Sequence, residues 1–185
     1  MANLYSIGYG NRPWQSFLNL LKAKNCEFLI DVRSSPYSKF NQSFSRESLL
    51  KLCKEAGIRY VFMGDTLGGK PSSEEYFDSS GKIDYIKLSE TREFQFGVSR
   101  LITANNKKLV SFIMCSELRP QDCHRTKLIG AELKEHGVEI IHIDENDKDV
   151  SQEEVIARLT GGQDNIFEAD PVISRSRGSY LKAAK

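Results

Sequence analysis

The sequence predicts a three-layer α/β domain, with about five mostly parallel strands covered by helices on both faces in the flavodoxin or Rossmann manner. Two observations carry that expectation. Short apolar runs alternate with amphipathic helical repeats about five times along the chain, and parallel strands need such crossovers. The residues richest in chemistry also follow directly after the apolar runs, where the carboxyl ends of parallel strands lie. The chain has 185 residues, 39% hydrophobic and 28% charged, an ordinary globular composition with enough length to fill one core.

Residues 4–7 read as a buried strand running into Gly8-Tyr9-Gly10. Pro13 suits the first turn of a helix, on which Trp14, Phe17, Leu18 and Leu21 recur at helical spacing. Residues 28–30 form a second strand, ending at Asp31-Val32-Arg33, and a loop over 34–44 follows. Leu49, Leu50, Leu52 and Cys53 mark one face of a helix that Gly57 stops. Residues 60–63 are a third strand leading to Gly64, Asp65, Gly68 and Gly69. The Ser-, Gly- and acid-rich stretch 70–83 is long for a plain connection and reads as a functional loop. Residues 85–104 read as one helix, 109–114 as strand four, and 127–136 as a helix ended by Gly137. Residues 138–143 are strand five. Ser151, with Glu153 and Glu154 behind it, opens a last helix that stops at Gly161-Gly162. This organisation predicts one domain over 1–162 and a polar, basic tail over 163–185, read as frayed.

The net charge of +1 gives no whole-protein field for a polyanion, so nucleic-acid binding would need a local patch. No apolar run approaches membrane-spanning length and the start carries no leader pattern, so no membrane partner and a reducing cytoplasm are expected. Of the four cysteines, Cys26 and Cys53 fall in apolar contexts where buried free thiols are common.

The other two stand in the densest chemical stretch, Met114-Cys115-Ser116-Glu117-Leu118-Arg119-Pro120-Gln121-Asp122-Cys123-His124-Arg125. Strand one ends in Gly8-Tyr9-Gly10-Asn11, strand two in Asp31-Val32-Arg33, strand three near Asp65 and Gly68-Gly69, and strand four in Cys115-Ser116-Glu117. All would meet along one sheet edge. Taken together, Ser6-Ile7-Gly8-Tyr9-Gly10-Asn11, Asp31-Val32-Arg33 with Pro36 and Ser38, Leu67-Gly68-Gly69, Cys115-x-Glu117 and Cys123-His124-Arg125 resemble the signature of the bacterial and archaeal domain of unknown function 488 family. The resemblance runs from about residue 4 to residue 143 and implies a cytosolic α/β domain without a settled activity. The family often carries Gly-His-Ser where this chain has Gly8-Tyr9-Gly10, so no imidazole role passes to position 9.

Roles follow from residue chemistry. Cys115 and Cys123 are candidate nucleophiles, since a thiol near a helix start and cations shifts toward thiolate. Glu117 and Asp31 are candidate acid and base, with an Asp31–Arg33 pair as the structural alternative. Arg33, Arg125 and His124 would hold an anion, with Gly8, Tyr9, Ser38, Gly68 and Gly69 lining its site. No metal is expected, because paired Cys-x-x-Cys knuckles are missing and adjacent Cys-His is an awkward chelate. No cofactor is expected either, since neither Gly-x-Gly-x-x-Gly nor a Walker lysine pattern occurs. Phe40 and Phe44, interleaved with Lys39 and Arg46, could stack bases, but both are expected to anchor their loop to the core. His136 and His142 are expected to be structural.

The leading expectation is therefore an enzyme performing hydrolysis or group transfer on a small anionic, phosphorylated, nucleotide-like ligand, with nucleic acid as a further candidate partner. The order Ile30-Asp31-Val32-Arg33 followed by a strand-end cysteine also resembles rhodaneses, so sulfur transfer is an alternative. A non-catalytic nucleotide- or nucleic-acid-binding module is the other. Strand order and oligomeric state are not legible.

Overall fold

Six strands form one sheet in the order β3-β2-β4-β1-β5-β6. They are β1 (Leu4–Gly8), β2 (Phe28–Asp31), β3 (Arg59–Phe62), β4 (Ser111–Cys115), β5 (Ile141–Ile143) and β6 (Asp149–Ser151). The computed structural model describes residues 3–162 and 171–180. The first five strands are mutually parallel and β6 is antiparallel to β5. The predicted three-layer architecture is therefore the observed one.

The helices divide between the faces by the period-2 alternation of the strands. On one face, Tyr5, Ile7, Leu29, Phe112 and Met114 meet Phe17, Leu18 and Leu21 of α1 (Trp14–Ala23), and Leu49 and Cys53 of α2 (Arg46–Glu55). On the other, Leu4, Ile30, Ile113 and Cys115 meet Leu67 of α3 (Gly64–Leu67), Leu88 of α4 (Tyr85–Ser89) and Phe94, Val98 and Leu101 of α5 (Arg92–Asn106). Leu133 of α6 (Ala131–Glu135) completes that layer. Cys26 and Cys53 are buried free thiols on the first face, as their contexts predicted.

Five local departures from the expected elements are found. The helix expected over 85–104 is two, because a second N-cap interrupts it. Asp84 accepts from the Ile86 and Lys87 amides to start α4, and Thr91 accepts from Phe94 N to start α5. A short helix, α3, stands where only a glycine turn was expected. The helix expected from 127 begins as a wide π turn over Arg125–Gly130, all of it buried. Strand five is shorter than expected, and β6 was not anticipated, since Val150 alone is apolar in its three residues. The final helix, α7 (Gln152–Thr160), starts with the Ser151–Glu154 capping box, and Gly161 ends it in a left-handed conformation at φ 63°.

The connections determine where a ligand can bind. Chain leaving β1 and β2 passes through α1 and α2 on one face, whereas chain leaving β3 and β4 passes on the other. Strand β4 lies between β1 and β2, so its connection departs opposite to those of both neighbours. That is a topological switch point, and the crevice opens outside its carboxyl end, at Cys115.

Candidate functional site

The crevice is a cavity of about 450 Å³. Cys115, Glu117, Cys123 and His124 form its floor, and Tyr9 and Arg33 stand in its wall. Ser38 lines it too, together with Gly69. The segments expected to meet at one sheet edge do meet there.

Cys115 reaches the floor because it is the last residue of a strand buried over its whole length. The chain then turns so tightly under β1 that a Cβ on Gly8 would stand 1.8 Å from the Glu117 carbonyl oxygen. Only glycine allows that approach. Cys115 Sγ lies 2.8 Å from Glu117 Oε2, and Cys123 Sγ lies 3.5 Å from the same oxygen. His124 Nδ1 is 3.9 Å from Cys115 Sγ and 3.6 Å from Cys123 Sγ. The other ring nitrogen, Nε2, donates to the Val32 carbonyl at 3.1 Å, so the ring's orientation is set by β2's exit. Gly69 lets the loop lie against that ring, for a Cβ there would be 2.5 Å from His124 Cγ. Gly68 is tucked against Gly64 and Ser34 rather than the floor.

Charge within the floor is unevenly shared. Burial acts to raise the Cys123 thiol, but the hydrogen bond from Cys115 and the charges of Arg125 and His124 outweigh it and hold Cys123 well below its ordinary range. The hydrogen bond to Cys123, added to burial, pushes Cys115 well up. Burial would lower His124, yet the neighbouring Cys123 and Glu117 leave it raised. These influences bias Cys123 toward thiolate and His124 toward its protonated form.

The two arginines expected to clamp an anion are occupied by the protein. Arg125 has no exposed surface. It donates from Nε to Cys123 Sγ at 3.2 Å, from Nη1 to Ser6 Oγ at 2.9 Å and from Nη2 to the Glu117 carbonyl at 2.7 Å. Its role is to position the floor. Arg33 donates to both Asp31 oxygens at 2.8 and 2.6 Å, to the Phe44 carbonyl at 2.8 Å and to Tyr9 Oη at 3.3 Å. Tyr60 Oη donates to Asp31 as well, at 2.8 Å. Asp31 is wholly buried in this cluster, away from the floor thiols, so the structural alternative describes its placement. Tyr9 stacks on Phe44 with centroids 4.2 Å apart, which explains its burial.

Apart from Lys39, which the aromatic and basic interleaving around Phe40 marks, several lining residues carried little signal in sequence. Lys39, Lys70, Arg177 and Tyr180 stand at the rim. Lys70 Nζ lies 4.1 Å from the Tyr180 ring centroid. Residues 171–180 fall in the expected tail, yet Ser176 is buried and binds the Ile83 backbone in both directions. Residues 163–170 and 181–185 of that tail lie outside the described residues. Their hint was the basic run Arg175-Ser176-Arg177. Phe44 anchors its loop as expected, but Phe40 does not: it is 96% exposed beside the cavity. Its neighbour Tyr37 is 65% exposed.

Behind the floor, Ser6 Oγ and Gln152 Oε1 each lie 2.7 Å from a ring nitrogen of buried His142. Burial lowers its pKa from 6.5 to about 4, so an unfolded chain takes up a proton there before the folded protein does. Stability from His142 is therefore complete above pH 6.5 and is lost as pH falls toward about 4. The loss amounts to about 3 kcal/mol. Urea unfolding across that range should show a shallower acid slope in His142→Gln than in the natural chain; equal slopes would refute the assignment.

Fold and floor together define a class: a three-layer α/β domain with a buried pair of thiols and an imidazole beside a half-buried carboxylate at the switch point of its sheet. A family model described as Domain of unknown function DUF488 matches residues 13–131, well over half of the chain, and the chain belongs to that family. Neither the curated proteins nor the solved structures compared gave a match. Among the described residues, no helix is long and apolar enough to cross a membrane.

Proposed function

We propose that the cavity is the active centre of an enzyme that performs hydrolysis or group transfer on a small phosphorylated, nucleotide-like ligand. The observation that carries this reading is the carboxylate of Glu117 set between two thiols at the floor of an open cavity. A base within hydrogen-bond reach of a nucleophile is the minimum equipment for such chemistry. The rim supports the ligand class. Lys39, Lys70 and Arg177 offer cations for phosphate, and exposed Tyr37 and Phe40 offer faces for a heterocycle.

In a thiol mechanism, Sγ forms a bond to the electrophilic atom while Glu117 takes the thiol proton. The leaving group departs with that proton. Water, or an acceptor hydroxyl, then breaks the bond to sulfur and restores the thiol.

The test is calorimetric titration of nucleoside mono- and diphosphates, followed by turnover measurements on those that bind. Lys39→Ala combined with Lys70→Ala should weaken binding at least about tenfold. Cys115→Ser and Glu117→Gln should leave affinity within about twofold and abolish turnover. Binding with no turnover in any member of the panel would favour a binding module instead. If no phosphorylated ligand binds, or the lysine variant binds like the natural chain, the ligand class is wrong. Tighter binding of a single-stranded oligonucleotide than of any mononucleotide would move the substrate to nucleic acid.

A further inference from the structure

The geometry points to a metal site: we propose that Cys115 Sγ, Cys123 Sγ and His124 Nδ1 bind one divalent ion of zinc-like character, whose open fourth position faces the cavity beside Glu117. The inference rests on the cavity being the reaction centre, and it revises one role there, making the thiols ligands and a bound water the attacking group.

The three donor atoms all lie within 4.8 Å of one another. A tetrahedral ion with bonds of about 2.3 Å to sulfur and about 2.0–2.1 Å to nitrogen separates its ligand atoms by about 3.5–3.8 Å. Cys123 Sγ and His124 Nδ1 are 3.6 Å apart, and Cys115 Sγ and His124 Nδ1 are 3.9 Å apart. Adjacent Cys-His is awkward as a chelate only when the distal ring nitrogen must bind. Here the proximal nitrogen, Nδ1, faces the sulfurs. Cys123 is extended and His124 helical, so the two side chains project to a common point.

The surrounding groups match what a metal centre requires of its outer partners. A ligating imidazole almost always donates its other N–H to a carbonyl or carboxylate. His124 Nε2 does so to Val32 O. Arg125 Nε donates to the Cys123 sulfur, supporting it as a charged ligand, and Ser116 Oγ donates to Glu117. Glu117 Oε2 is too close to Cys115 Sγ, at 2.8 Å, to complete a regular tetrahedron. It is well placed to take a proton from water in the fourth position, as in sites that keep three protein ligands and one exchangeable one. The soft pair of sulfurs with one imidazole favours zinc over calcium or magnesium. Loading releases to solvent the protons that Cys115, Cys123 and His124 Nδ1 carry in the free protein. In the reaction, Glu117 takes a proton from the bound water, the hydroxide forms the new bond to the electrophile, and the leaving group departs with the proton.

The test uses the full chain, expressed with zinc supplementation and without chelator, and needs no substrate. Elemental analysis should find stoichiometric zinc, and cobalt replacement should give thiolate-to-cobalt charge-transfer absorption. Cys115→Ser should shift and weaken that absorption, and His124→Gln should cost most of the zinc. Because either variant could fold poorly, the natural chain is also stripped with chelator and reloaded. Protection of Cys123 from alkylation should disappear and return. A chain that takes up neither zinc nor cobalt overturns the proposal, as does zinc retained fully in both variants. That failure would leave the reaction centre to the thiols, whereas failure of the nucleotide titrations in zinc-loaded protein would remove only the ligand class.

Discussion

Replacing Asp31 with alanine should lower the free energy of unfolding by about 3–5 kcal/mol. The carboxylate is fully buried and receives Arg33 through both of its oxygens, at 2.6 and 2.8 Å. Removing it strands a guanidinium that is itself almost without solvent, keeping only Phe44 O and Tyr9 Oη as partners. The cost is that of an uncompensated buried charge, which far exceeds the net worth of the pair. The double variant Asp31→Ala with Arg33→Met should accordingly be more stable than Asp31→Ala alone. Urea unfolding followed by circular dichroism gives both numbers, provided the slope with denaturant is unchanged. A loss below about 1 kcal/mol, or a double variant worse than the single, would show that Arg33 reaches water and is free to meet a ligand.

Arg125→Met should cost about 3 kcal/mol, by removing three hydrogen bonds and leaving the half-buried Glu117 carbonyl without its donor. In a chain of this size that corresponds to a fall in Tm of about 6–12 °C. The functional loss should exceed what partial unfolding explains. Arg125 joins β1, the Cys115–Glu117 turn and Cys123, so its loss releases the floor while the rim stays intact. Nucleotide affinity should therefore persist as turnover fails. Arg125→Lys, which keeps the charge but not the fork, should recover only part of either property. Equal losses of affinity and turnover would instead make Arg125 a ligand contact.

The contrast between these two arginines explains how much of the site was legible beforehand. Asp31-Val32-Arg33 stands out in sequence because charged residues follow an apolar run directly, and Cys123-His124-Arg125 because it closes the dense chemical stretch that follows strand four. Their position at the carboxyl edge follows from strand periodicity and the parallel rule alone. Whether a guanidinium faces ligand or protein depends on partners far away in the chain. Ser6, which accepts from Arg125, is 119 residues distant. The rim illustrates the same limit. Arg177 and Tyr180 belong to a segment without periodicity, and distant contacts such as Ser176 with Ile83 and Tyr180 N with the Gly81 carbonyl bring them to the cavity. Phe40 and Phe44 are alike in composition and neighbourhood, yet one is buried and the other projects beside the opening.

By itself the sequence determined the class of fold, the family and the sheet edge at which chemistry collects. Each of those depends on local repeats near 2 and 3.6 residues, on capping residues such as Ser151, and on motifs short enough to read in one pass. The tertiary structure decided the strand order, the internal saturation of Arg33 and Arg125, and the meeting of Cys115, Cys123, His124 and Glu117 around one point. The physical reason is that these contacts are fixed by how β1, β2 and β4 lie side by side. A close approach such as Gly8 against the Glu117 carbonyl exists only once that packing is complete.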